Sequence, residues 1–253
     1  METAVEKIIE WIERRQAEYV CVRDVHGVKL AVMDPRLMKI HHEAGMVTPD
    51  GMPLVWLAKI RSQLKSGRVC GAELLDALCR SGEANGLRHY FYGGKPGVAE
   101  AMIKNLKAKY PNMAVAGFYS PPFSPLTEEE NDEIVRDINR SEAQIVWVGL
   151  STPKQEVWMS EHVGKIRGAT LIGVGAAFDF HSGAVSRAPE WMRSSGFEWV
   201  YRICSEPRRL FPRYVKIVPW FLINAVREQI SLYLGPRVGS DLAAYSDNFA
   251  DNH

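Results

Sequence analysis

The residues of this sequence that could do chemistry are a carboxylate in a turn, three glycine-bearing loops and a group of arginines. Asp50 sits in Thr48-Pro49-Asp50-Gly51, at the expected end of a strand. Asp-Gly is a common turn pair, so a plain turn is one reading. A general base taking a proton from an acceptor hydroxyl is the other. Gly93-Gly94-Lys95-Pro96-Gly97 supplies unhindered backbone amides ahead of a helix. That suits a phosphate or a nucleotide, although a tight strand-to-helix turn explains it equally. In the loop over 149–156, Gly149-Leu150-Ser151-Thr152-Pro153-Lys154-Gln155-Glu156, Gln155 has the donor and acceptor to bond a sugar or a base, while Lys154 and Glu156 also read as solvated helix charges. The third loop, residues 173–183, carries Gly173, Gly175, Phe178, Asp179 and His181. Asp179 and His181 are two ligand types without a third nearby, and a satisfied structural pair is the favoured reading over a metal site.

Arginines bind phosphate in bidentate fashion and neutralise a diphosphate where no metal does so. Arg68, Arg202, Arg208, Arg209 and Arg213 are available for this. Any one of them also fits a solvated helix face. The group from 202 onward is interleaved with Trp, Tyr and Phe, which suits an interfacial segment in which apolar groups enter a headgroup zone and cations meet phosphate.

Apolar strands alternating with helices position these loops. Residues 2–18 read as an amphipathic helix through Val5, Ile8, Ile9 and Ile12, and 19–25 as a short strand. Asp34 and Pro35 open a helix over 34–44, and 46–53 is a strand end and turn. Helices are expected over 54–65 and 71–80. Strands over 88–94, 114–119, 144–150 and 169–175 then alternate with helices over 96–109, 127–140 and 153–163, and a further helix follows Ala188-Pro189. Thr127 and Glu130 spell a capping box. Continuous apolar strands between helices predict an α/β fold, a parallel sheet covered on both faces, and such sheets bind ligands beyond the carboxyl ends of their strands. All three glycine loops fall at that edge. The expected organisation is an α/β core over 1–198, divided into an N-terminal region (1–86) and a Rossmann-like region (87–198). A basic, aromatic helical appendage over 199–234 and a polar, disordered tail over 235–253 complete it.

Composition sets outer bounds. A hydrophobic content of 46% supports a sizeable core, and a net charge of +1 gives no broad attraction to nucleic acid. The four cysteines form no CxxC pair, which suits a reducing compartment. The charged N-terminus lacks the apolar stretch of a signal peptide, and no run reaches the roughly 18 apolar residues of a membrane span. The expected location is the cytoplasm, peripheral on the inner face of the membrane, with a possible homo-oligomer.

Six segments in order resemble the WecG/TagA/CpsF glycosyltransferase family. They are residues 34–56 (through TPDGMPLVW), YFYGGKPGVAE (90–100), YSPPFSPLTEEE (119–130), WVGLSTPKQEVWM (147–159), 173–202 (from GVGAAFDFHSG to FEWVYR) and EPRRLFPRY (206–214). The resemblance implies a Rossmann-like inverting transferase that needs no metal or other cofactor. Its donor is a UDP-sugar, its acceptor is a sugar on polyprenyl diphosphate, and it works at an anionic membrane surface. It places the catalytic base at Asp50, with Arg202 and Arg209 stabilising the departing UDP. It assigns substrate contacts to Arg68 and Gln155, and the reading of the loops and appendage adds Gly93, Gly94, Gly175, Phe178, Asp179, Arg208 and Arg213. The chain departs from the family pattern at Arg23-Asp24-Val25-His26-Gly27, where relatives often have a threonine, and at Pro212-Arg213, where some have paired arginines. The donor sugar stays open, as do wall teichoic acid, enterobacterial-type antigen and exopolysaccharide as products. Two other readings compete. A nucleotide-sugar epimerase or dehydrogenase would want a GxGxxG fingerprint, which is absent. A non-catalytic membrane scaffold leaves Asp50 and the glycine loops without a role.

Overall fold

The structure, a computed structural model, describes residues 1–62 and 67–234. The side chains of residues 61, 62, 209 and 228–234 fall outside that description, as does the segment 235–253 expected to be a disordered tail. In chain order the elements are α1 (Glu2–Glu13), β1 (Tyr19–Arg23), α2 (Val25–Met33), α3 (Pro35–His42), β2 (Met46–Pro49), α4 (Met52–Ser62) and α5 (Gly71–Asn85). There follow β3 (Arg88–Gly93), α6 (Val98–Lys109), β4 (Ala114–Tyr119), α7 (Glu128–Arg140), β5 (Ile145–Gly149), α8 (Lys154–His162), β6 (Thr170–Gly173) and α9 (Ala177–Ser182). Helices α10 (Glu190–Ser194), α11 (Glu198–Ser205) and α12 (Pro207–Leu234) close the described chain. The strands form one six-stranded sheet in the order β2-β1-β6-β5-β3-β4, with β1–β6, β6–β5, β5–β3 and β3–β4 parallel. The expected α/β class, with a parallel sheet flanked by helices and a C-terminal helix, is what the chain adopts.

The local reasons are those of the sequence, with three differences, the third being that the expected loop over 173–183 contains the helix α9. Thr127 Oγ1 accepts from the Glu130 amide at 3.2 Å and Glu130 returns the bond to the Thr127 amide at 2.7 Å, so the capping box opens α7 as expected. Asp34 Oδ1 accepts from the Arg36 amide at 2.9 Å and opens α3. The first helix ends at Glu13 rather than 18. The second difference is α2, which periodicity did not reveal. Asp24 ends β1 and accepts from the Gly27 amide at 2.8 Å, an N-cap that converts the expected strand end into a helix start.

The chain groups into two compact units that exchange segments along the sequence. One comprises residues 1–22, 43–46 and 69–186, and the other residues 23–42, 47–68 and 187 onward. The first unit holds the parallel core. Ile145, Val146, Trp147 and Val148 of β5 are all at 0% exposure, as a central strand covered on both faces requires. Each such side chain contributes roughly 1.5–3 kcal/mol by leaving water. Polar side chains are also built into this core, His89 among them. Trp147 Nε1 donates to His89 Nδ1 at 3.1 Å, and burial pushes the His89 imidazole down to about 4. In the second unit His41 behaves alike: burial, then the neighbouring Arg23 and His42 charges, push it down to about 3.

These depressed histidines set an acid limit. The unfolded chain takes up each proton near pH 6.5, whereas the folded chain resists to about 4 and about 3. Stability is therefore full above pH 6.5 and declines as pH falls, by up to about 1.4 kcal/mol per pH unit for each histidine. Urea unfolding at pH 7.5 and 5.0 should show a lower midpoint at 5.0. Equal midpoints would mean that His89 and His41 are already charged in the folded state.

Candidate functional site

In the first unit, chain direction across the sheet reverses between β3 and β5. From β3 the chain crosses through α6 to the outer strand β4, whereas from β5 it crosses through α8 to β6 on the opposite side. Right-handed crossovers in opposite directions place their helices on opposite faces and open a crevice at the carboxyl ends of the two strands. Gly93 faces Gly149 in register at that edge, and the Gly94 amide donates to the Gly149 carbonyl at 3.1 Å. A Cβ on Gly93 would stand 2.6 Å from the Gly149 carbonyl carbon, and the φ angles of Gly93 and Gly94 are 129° and 76°, so side chains are excluded twice over. Phe178 lies beneath these loops at 1% exposure, and a Cβ on Gly149 would meet its ring at 2.7 Å.

The loop after β6 is fastened to the loop after β5 by Gln155. Its Oε1 accepts from the Gly175 amide at 3.1 Å and its Nε2 donates to Glu156 Oε1 at 2.8 Å. Glu156 is fully buried and also accepts from Thr152 Oγ1 at 3.3 Å. Gln155 is thus 2% exposed with both ends of its amide in use, which makes it a tie between loops.

The second unit holds a cavity of about 350 Å³. Trp56, Trp199, Ile217 and Phe221 are part of its apolar wall, and Asp50, Arg68, Arg202 and Arg213 line it as well. Arg68 Nη2 lies 3.1 Å from Asp50 Oδ1 and 2.6 Å from Glu198 Oε2, while its Nε donates to the Asp50 backbone carbonyl. Asp50 is further anchored by its amide, which donates to the Arg23 carbonyl at 2.8 Å. Arg213 Nη2 pairs with Asp24 Oδ2 at 2.7 Å. Burial opposes ionisation of Asp24, but Arg213, the Gly27 amide and Arg23 outweigh it and hold the carboxyl below its usual range. Burial and then Arg213 hold the His26 imidazole below its ordinary value, so this cavity-lining group is neutral at pH 7. Burial raises the Tyr214 phenol, which stays protonated.

Of the sequence candidates, Asp50, Arg68, Arg202 and Arg213 share this cavity. Gly93, Gly94, Gly175 and Gln155 lie at the sheet edge of the first unit, with Phe178 under it. Asp179 is half-buried on α9, and His181 is satisfied by the Ala72 carbonyl at 2.9 Å, the structural role favoured from the sequence. Arg208 is exposed on α12 and is not among the cavity-lining residues. Arg209 lies on the same helix, with its side chain outside the described residues. Arg23 is 1% exposed, and its guanidinium fills the space a side chain at Gly27 would need, 2.7 Å from that Cβ. Sequence reasoning missed Glu198, His26, Trp56 and Glu156, because a lone carboxylate, imidazole or indole gains meaning only from its neighbours.

The tie through Gln155 makes a stability prediction. Gln155→Ala removes one partner each from the buried Glu156 carboxylate and the Gly175 amide and should destabilise the protein by about 1–3 kcal/mol. Thermal melting of the ligand-free protein should fall by several degrees. An unchanged melting temperature would mean that the amide serves a ligand alone.

Comparison with known proteins gives the chain relatives and a family. Three similar curated proteins carry the name N-acetylglucosaminyldiphosphoundecaprenol N-acetyl-beta-D-mannosaminyltransferase. That of Bacillus subtilis (strain 168) is 27% identical over 199 residues, covering 79% of this chain and 75% of the relative. That of Bacillus spizizenii is 28% identical over 193 residues, covering 74% and 73%. That of Staphylococcus aureus (strain MW2) is 26% identical over 200 residues, covering 79% and 76%. The family model for the glycosyl transferase WecG/TagA/CpsF family matches residues 1–234, and this chain belongs to that family.

Proposed function

We propose that the protein is an inverting glycosyltransferase that moves a sugar from a UDP-sugar to a polyprenyl-diphosphate-linked acceptor. The observation that carries the reading is the cavity of the second unit, where a carboxylate, Asp50, stands beside Arg68, Arg202 and Arg213 within an apolar wall. This is the equipment of a displacement at an anomeric carbon. Asp50 accepts the proton of the acceptor hydroxyl as its oxygen bonds to the anomeric carbon. The bond from that carbon to the diphosphate oxygen breaks, and UDP leaves with its charge met by arginines in place of a metal ion. Attack in line gives inversion. The relatives' names make N-acetylmannosamine the first donor sugar to try and N-acetylglucosamine on a polyprenyl diphosphate the first acceptor.

The appendage supports work on a membrane-held acceptor. Phe211, Val215, Leu222 and Ile223 of α12 are each more than half exposed, and Lys216 and Arg227 lie on the same helix. Among the described residues no helix is long and apolar enough to cross a membrane. An interfacial helix of this kind enters the headgroup region, with its cations against anionic lipid.

Two experiments test the reading. Asp50→Asn should lower turnover by at least about a hundredfold while UDP still binds, read by UDP release and by calorimetry. Full turnover in that variant would remove Asp50 as the base, and absent UDP binding in the wild type would favour a scaffold. Phe211→Ser combined with Leu222→Ser should weaken cosedimentation with phosphatidylglycerol vesicles several-fold. Unchanged cosedimentation would place membrane contact elsewhere.

A further inference from the structure

We propose that Glu198 is a positioning residue of the transfer reaction, compensating the charge of Arg68 so that Asp50 stays basic enough to take the acceptor's proton. The inference rests on Asp50 as the base. Arg68 Nη2 lies 2.6 Å from Glu198 Oε2 and 3.1 Å from Asp50 Oδ1, so one guanidinium joins two carboxylates. The side chains of Arg68, Asp50 and Glu198 are 15%, 32% and 16% exposed, so water screens the triad weakly.

A carboxylate beside a single arginine is held in its ionised form and is a poor proton acceptor. A second carboxylate on the same nitrogen leaves the triad with a net charge of −1, which restores affinity for a proton. Glu198 also opens α11, and Arg202 lies four residues on, on the same helix face and in the same cavity. The Arg68–Glu198 contact therefore fixes the helix that presents Arg202. The other ionisable groups around the cavity are Asp24 and His26 at the start of α2, Arg193 of α10, and Arg213 and Tyr214 of α12. Asp24 is engaged by Arg213 and His26 is neutral at pH 7, so Glu198 is the carboxylate that answers Arg68.

The test is the pH profile of kcat/KM for the full chain, with UDP-N-acetylmannosamine and an N-acetylglucosaminyl diphospholipid as probes. In Glu198→Gln the less compensated Arg68 charge should move the acidic limb down by about one pH unit. Turnover should fall about tenfold or more, with the donor KM changed less than about threefold. Glu198→Asp keeps the charge and loses one methylene of reach, so its limb should stay in place while turnover drops. A limb in the wild-type position in Glu198→Gln, or a limb displaced as far in Glu198→Asp as in Glu198→Gln, overturns the proposal. Asp50→Asn run in parallel separates the two claims. If that variant stays active, the base assignment falls. If it is inactive and the limb in Glu198→Gln does not move, only the role of Glu198 falls.

Discussion

The guanidinium of Arg68 holds the Asp50 side chain, the Asp50 backbone carbonyl and the Glu198 carboxylate, and the chemistry of the second unit depends on that bridge. Its positive charge offsets the repulsion of two carboxylates that face one cavity. Asp50 is fixed from both sides, by Arg68 and by the bond from its own amide to the Arg23 carbonyl. The bridge also joins segments far apart in sequence, since Glu198 stands 130 residues beyond Arg68. A second ion pair, Arg213 with Asp24, ties α12 to the cap of α2 in the same way. Charge here is arranged in compensated groups, as expected where water is partly excluded.

The first unit solves a different problem with backbone. Its crevice owes its shape to glycines that let the ends of β3 and β5 close to within hydrogen-bond distance, and to Phe178 packed beneath them. Gln155 and Glu156 then hold the neighbouring loops by a buried polar chain.

Much of this was legible in the sequence. The β5 and β6 strands announced themselves as continuous apolar runs, paired glycines marked the end of β3, the capping box at Thr127 marked α7, and the position of the glycine loops followed from the parallel-sheet rule. Asp50 and Arg68 were candidates by residue type before the family resemblance matched them, and the structure places them in contact. What stayed hidden depended on contacts between distant segments. Helix α2 was masked because Asp24 reads as well in a strand end as in a cap. The burial of Phe178 and the bonds that Gln155 makes between loops were not legible, because they depend on packing between distant segments. Glu198 looks like an ordinary charge at a helix start until its partner is seen.

The measurement that tests the central claim most directly is the anomeric configuration of the product made by the wild-type protein. UDP-N-acetylmannosamine would be supplied with an N-acetylglucosaminyl diphospholipid, with EDTA present throughout. A single displacement driven by Asp50 and arginines predicts UDP release that depends on the acceptor, survives EDTA and yields the linkage inverted from the donor. Retained configuration, or release that stops with EDTA, would contradict it.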